Sequence, residues 1–267
     1  MLLVSCTLLT ILPQDSALAT TIVVARTENE IVIGADSKVT DTFGNEVKRR
    51  ACKILQVGNL FVAFEGLEID RQTGFNVQDI ATMALKTKQS TSVIERVSTL
   101  TGSLVTRLFD EITHMRKNER EAYNKRIEGG QVFLRIVIAG FEKGKPLIFV
   151  RSFRAAQITQ QQSGITVVPD DCLNDCQGEV VTRFLGETEA IDGLPEETPG
   201  FWQSGIVEGV RRLVHTEIDA RSEYVGPPID IVRISKSGVQ WIQRKPECTG
   251  IQNNDRRNRG GVGKKPI

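Results

Sequence analysis

Hydrophobic residues come in short blocks at the start of the chain, in helical steps through its middle, and in short blocks again toward the end. Thr20 to Arg26 is a β-branched run and Glu30 to Ala35 a second, with Thr27, Glu28 and Asn29 as the turn between them. Ile54 to Val57 and Leu60 to Phe64 flank Gly58-Asn59, a dipeptide suited to a hairpin. Val77 to Lys88 then carries Ile80, Met83, Ala84 and Leu85 at helical spacing. From Val93 to about Ile127, Val97, Leu100, Leu104, Leu108 and Ile112 fall on one face of a longer helix. The charged stretch Arg116 to Arg126 reads as its solvated end. Strands are predicted again at Val132 to Phe141 and Pro146 to Phe153, around a turn at Glu142 to Lys145, and at Ile165 to Val168 and Val180 to Leu185. Phe201 to Ala220 predicts a helix with Ile206, Val210, Leu213, Val214 and Ile218 on its apolar stripe, and Ile229 to Ile234 and Val239 to Ile242 predict closing strands.

Segregated runs of strands and helices predict an α+β fold rather than an alternating parallel one. Two antiparallel sheets packed face to face, with helices outside, would use every apolar face. The expected organisation is a leader over 1–19, one domain over 20–245, and a disordered basic tail over 246–267, where the text turns polar and Gly-rich.

Composition narrows the function classes. The chain has 267 residues, 40% hydrophobic and 25% charged, with a net charge of +1. Wholesale disorder is excluded, and no nucleic-acid partner is expected without a basic excess. No apolar run reaches the length of a membrane-spanning helix, so no integral membrane segment is expected. The only two histidines, His114 and His215, lie far apart, which leaves little material for a His-rich metal site.

Met1 to Pro13 is mostly apolar, and Ala17-Leu18-Ala19 has the small-x-small form cut by signal peptidase. The expectation is a periplasmic or secreted protein; the alternative is a cytoplasmic one with a cleaved propeptide. Leu3-Val4-Ser5-Cys6 gives a weaker lipoprotein reading. Of five cysteines, removal of the leader leaves Cys52, Cys172, Cys176 and Cys248, an even number that suits an oxidising compartment. Cys172 and Cys176 fit either a small disulfide loop or free thiols, with zinc the weaker reading.

Four segments in order carry a family resemblance: Thr20-Thr21-Ile22-Val23, Gly34-Ala35-Asp36-Ser37-Lys38, Cys52-Lys53-Ile54, and Phe61-Val62-Ala63-Phe64-Glu65-Gly66-Leu67-Glu68-Ile69-Asp70. Together they resemble the opening of a proteasome β-type subunit, a group within the N-terminal nucleophile hydrolases. The likeness is strongest from Thr20 to about Ala84 and returns faintly at Val132 to Phe153 and Tyr224 to Gly238. It implies a four-layer αββα sandwich and a threonine nucleophile that needs no cofactor and no metal. It also implies subunit packing through the outer helices, as a homo-oligomer.

A threonine hydroxyl needs a base to attack an amide. If Thr20 becomes the first residue, its α-amino group is that base, with an ordinary pKa of about 7.7–8.0. In an uncut chain the same nitrogen is an amide without basicity. The resemblance makes Lys53 the lysine that favours the deprotonated amine and the developing alkoxide, Asp36 the acid that holds it, and Gly66 the backbone donor to the oxyanion. Lys53 comes one residue late for the family, with the extra residue in the turn around Phe43-Gly44-Asn45. Each residue alone has a plainer reading: strand propensity, a strand-end turn, a surface lysine, a loop glycine.

The chain also departs from the family. Where the family has Arg-Asp-x-x-Ser-Gly-Gly, this chain has Arg221-Ser222-Glu223-Tyr224-Val225-Gly226-Pro227. The aspartate position holds Ser222 and the serine position Val225, and a further serine site falls near Gly186-Glu187-Thr188. Ser222, Glu223 and Glu187 are the candidate substitutes. The expected activity is hydrolysis of a peptide or other amide substrate; the alternatives are a non-catalytic scaffold on the same fold and a small-molecule acylase or amidase.

Overall fold

The computed structural model describes residues 20–38, 51–70, 72–86, 92–121, 123–124, 130, 132–157, 163–173 and 178–249. Several expectations fall outside these residues: the leader with its Ala17-Leu18-Ala19 box, the turn at Phe43-Gly44-Asn45, Cys6, Cys176, the far end of the long helix, and the tail from residue 250 onward.

The fold is mixed α+β with two five-stranded sheets, antiparallel throughout. The first sheet runs β10 (Val181–Gly186), β1 (Thr21–Arg26), β2 (Glu30–Ala35), β11 (Asp230–Ser235), β12 (Gly238–Gln243). The second runs β3 (Ile54–Val57), β4 (Leu60–Gly66), β7 (Val132–Glu142), β8 (Lys145–Gln157), β9 (Ser163–Pro169). A two-stranded ribbon, β5 (Ile69–Asp70) with β6 (Phe75–Asn76), leads into helix α1 (Val77–Leu85). Helix α2 spans Val93–Asn118, α3 is the short Leu194–Glu197, and α4 spans Ile206–Ala220.

Strand periodicity divides the apolar residues among three clusters. Ile22, Val24, Ile31 and Ile33 of the first sheet pack with Phe61, Ala63, Val137 and Ile148 of the second. The alternate residues Val23, Val32 and Ile231 pack with Val210, Leu213 and Val214 of α4. Val62, Ile136 and Phe149 pack with Leu100, Leu104 and Leu108 of α2. Both faces of β1 are therefore covered, and all six of its residues are buried. That is why its sequence is a continuous apolar run rather than an alternating one. Each such side chain contributes about 1.5–3 kcal/mol by leaving water.

Helix ends follow local chemistry. Ser92 accepts from the Glu95 N–H while the Glu95 side chain accepts from Ser92 N–H, a capping box that starts α2 at Val93. Helix α2 ends at Asn118, where Glu119 leaves the helical conformation with φ −134°; helical backbone resumes at residues 120–121 and 123–124, and the expected end near Ile127 lies outside the described residues. Helix α4 begins at Ile206 rather than Phe201: Phe201 and Trp202 form an edge-to-face pair at 4.9 Å in the preceding turns. The segment read as a tail opens with a one-turn 3₁₀ helix, Pro246–Cys248, and Cys248 is buried in a disulfide to Cys52. Order thus runs past the expected boundary at 245, because a covalent bond holds a stretch whose composition alone reads as solvated. Among the described residues no helix is long and apolar enough to cross a membrane.

Candidate active site

Strand β2 ends at Ala35 and delivers Asp36 to the edge of the inter-sheet core. The Asp36 N–H donates to Thr21 O at 3.2 Å, continuing the β1–β2 pairing by one residue. Its carboxylate is fully buried and accepts from every side. Oδ1 accepts from Thr21 N (3.0 Å) and Lys53 Nζ (2.5 Å); Oδ2 accepts from Lys38 N (3.0 Å) and Gly226 N (3.1 Å). Such saturation satisfies the hydrogen-bonding demand of a carboxyl cut off from water.

One oxygen of Asp36 therefore binds both the Lys53 ammonium and the amide between Thr20 and Thr21. Lys53 is only 3% exposed. Burial lowers its pKa from the ordinary lysine value, Asp36 opposes that shift, Lys245 adds to it, and Glu68 opposes it. The net direction brings this ammonium closer to releasing its proton than a solvated lysine.

Thr20 is clamped from the opposite strand. Its carbonyl accepts from Glu187 N–H at 2.7 Å, and the Thr21 hydroxyl donates to Glu187 O at 2.7 Å. Gly186 has φ +88°, and a Cβ there would lie 1.6 Å from Thr20 O. The threonine backbone thus rests directly on a position that only glycine can fill.

The four sequence candidates are joined unequally. Asp36 links Lys53 to the Thr20–Thr21 amide, whereas Gly66 connects to them through its neighbour. Gly66 closes β4 with φ +103°, and a Cβ there would sit 2.5 Å from Phe133 O. The fold alone therefore explains a glycine at this point, apart from any role as a donor. Glu65, beside it, accepts a backbone hydrogen bond from Gly186 and faces Arg135 at 3.5 Å. Burial pushes the Glu65 carboxyl up, against Arg135. The chain path Gly66, Glu65, Gly186, Thr20 closes the site.

The divergent supporting positions resolve differently. Val225 is fully buried in the apolar cluster under α4, so it offers no polar group. Ser222 contributes its carbonyl, which accepts from Lys38 Nζ at 2.8 Å. Glu187 meets Thr20 by backbone; burial pushes its carboxyl up, Arg221 opposes, and Glu223 reinforces. The loop after α4 acts through its backbone: Gly226 N–H serves Asp36, Gly226 O accepts from Ser37 N at 3.0 Å, and the Ser37 hydroxyl donates to Pro228 O.

Two features escaped sequence reasoning. Lys245 forms a second buried ion pair with Asp230 at 2.9 Å, next to the first, and Cys52 is bonded to Cys248. Lys245 closes the expected domain just before the basic tail, and nothing local marks a partner so distant in sequence. Cys172 is also disulfide-bonded. His114 lies on α2 with Gln72 and Asn118, and His215 is exposed on α4. Among the described residues no group of three or more His, Cys, Asp or Glu is placed to hold a metal ion. No protein-family model matches the chain, and no curated protein matches it.

Proposed function

We propose that this protein is a threonine-type N-terminal nucleophile hydrolase of peptide or other amide bonds, with Thr20 as nucleophile after removal of residues 1–19. The observation that carries the reading is the single Asp36 oxygen that binds both Lys53 Nζ and the Thr20–Thr21 amide, all of them buried. A strand-end turn or a surface lysine does not need such an arrangement. The three apolar clusters, one shared by the two sheets and one under the helices on each side, support a proteasome-β-like αββα layering.

In this reading the freed α-amine of Thr20 takes the hydroxyl proton, directly or through water, as Oγ1 attacks the substrate carbonyl. The Lys53 ammonium, held by Asp36, favours the neutral amine and the developing alkoxide. The Gly66 N–H donates to the oxyanion, a contribution of about 3–4 kcal/mol in well-studied hydrolases. Collapse expels the amine with the transferred proton and leaves an ester on Oγ1, which water hydrolyses to regenerate Thr20. The Cys52–Cys248 disulfide supports an oxidising compartment, hence export, with signal peptidase as the agent that frees Thr20.

One observation favours a second reading, a non-catalytic scaffold on the same fold. Val225 fills with hydrocarbon the position where the family carries a serine. N-terminal sequencing of the native protein, followed by amide hydrolysis by the wild type and Thr20→Ala, separates the two. The hydrolase reading expects a chain beginning at Thr20, with turnover that falls to background in Thr20→Ala. A mature chain starting elsewhere, or equal turnover by both proteins, leaves the scaffold.

A further inference from the structure

The segment Arg244–Cys248 grips the stretch that carries Lys53 from two sides. Lys245 Nζ, fully buried, donates to Ala51 O at 2.6 Å and pairs with Asp230 Oδ2 at 2.9 Å. Lys245 N–H donates to the other Asp230 oxygen at 2.7 Å. Three residues on, Cys248 is bonded to Cys52. Ala51 and Cys52 are the two residues immediately before Lys53, so a salt-bridged hydrogen bond and a covalent bond both fasten its approach.

The sheet prepares this grip. Asp230 lies opposite Ala35 in the β2–β11 register, so Asp36 and Asp230 emerge at the same end of neighbouring strands. Each holds a buried lysine, Lys53 at 2.5 Å and Lys245 at 2.9 Å. The β11–β12 register shifts between Ile231 and Val232, and such a bulge re-aims the strand that carries it. Beyond it the Arg244 guanidinium stacks 4.1 Å over Trp241, whose ring meets Phe61 of β4 edge-on at 6.2 Å. Arg244 Nη2 also donates to Cys248 O at 2.6 Å.

We infer that Lys245 is a positioning residue for Lys53: held by Asp230, it pins Ala51 and sets a second fixed positive charge beside the Lys53 ammonium. The inference rests on the hydrolase reading for its catalytic meaning. Around Lys53 the charged groups are Asp36, Lys245, Glu68 and Glu65, with Asp230 behind Lys245. Among these groups Lys245 is the one cation, and it pushes Lys53 toward the neutral form, adding to the effect of burial.

The test is a pH titration of the Lys53 ¹³Cε resonance in lysine-labelled, disulfide-intact protein, assigned by its loss in Lys53→Met. In Lys245→Met the Lys53 midpoint moves to higher pH, and Lys245→Arg restores it. On an amide substrate, Lys245→Met lowers kcat with little change in KM. If Lys245→Met does not fold, the double variant Lys245→Met/Asp230→Asn, which leaves neither charge unpaired, takes its place with a smaller upward shift expected, because the more distant Asp230 charge is lost with the nearer Lys245 one. An unmoved or lowered midpoint in a folded variant overturns the inference. The two readings fail separately. A midpoint that moves in a protein inert toward amides removes the hydrolase and keeps the positioning role; turnover with an unmoved midpoint does the reverse.

Discussion

At the scale of single residues the site is built on backbone contacts as much as on side chains. Asp36 was legible only through the family resemblance, since an acid after an apolar strand reads equally well as a strand-end turn. Lys53 was legible only through the family resemblance, since a lysine beside a cysteine carries no local mark of burial. Gly186 was legible only as part of the segment near a family serine site, and its contact with Thr20 was not, although the fit at Thr20 depends on it. A methyl group there meets Thr20 O at 1.6 Å, so the threonine backbone must move. Gly186→Ala is expected to lose about 1–3 kcal/mol to backbone strain alone, and more to the clash. Thermal denaturation reads the first effect. Loss of Thr20-dependent turnover in protein that still folds reads the second. A variant with unchanged melting and turnover contradicts the clamp described here.

Among the elements, β-branched runs predicted β1 to β4 closely, because strands covered on both faces are apolar throughout and need no register signal. Helix α2 was predicted at its start, but the break at Glu119 was not, since charged residues run through it without a local stop signal. Strand β8 runs to Gln157, beyond the expected Phe153; pairing of Arg154–Gln157 with β9 holds residues that lack strand propensity. The β5–β6 ribbon, only two residues per strand, was too short for any periodic signal. Helix α2 also sets an expectation of its own. Leu104 is fully buried against the second sheet, and Leu104→Ala should cost about 2–5 kcal/mol in chemical denaturation. Because α2 packs on the face away from the inter-sheet core, the Lys53 titration should stay where it is in that variant.

At the scale of the molecule, four carboxyls among the described residues resist ionisation, two of them buried and two half-buried. Glu65, Glu111, Glu187 and Glu217 are all pushed up from the ordinary value of 4.5, in each case first by burial. A carboxyl whose pKa is raised by folding holds its proton longer in the native state than in the unfolded chain. Its contribution is complete below the unfolded value and is lost as pH rises through the folded one. Stability should therefore fall as pH climbs from about 4.5 toward neutrality. Lys53, lowered by burial, has the opposite sign, and its share is regained on the alkaline side. Glu217 is the most exacting case: it is fully buried, with Oε2 accepting from Ala190 N at 3.0 Å and Oε1 unpartnered. Melting temperature measured against pH should show the decline, and Glu217→Gln should flatten it. A curve that instead rises steadily from pH 4.5 to 7 rules out this balance.

The donors gathered on Asp36 are also spread along the time axis of synthesis. Thr21 and Lys38 leave the ribosome close to it and Lys53 soon after, but Gly226 emerges 190 residues later, and Lys245 and Cys248 after that. Closing such long loops is slow and comes late in folding. Until those residues have been made, the nascent chain thus carries its threonine, its acid and its lysine without the contacts that complete their cradle. On the hydrolase reading, the proposed nucleophile stays unbraced while the chain between Lys53 and Lys245 is still being made.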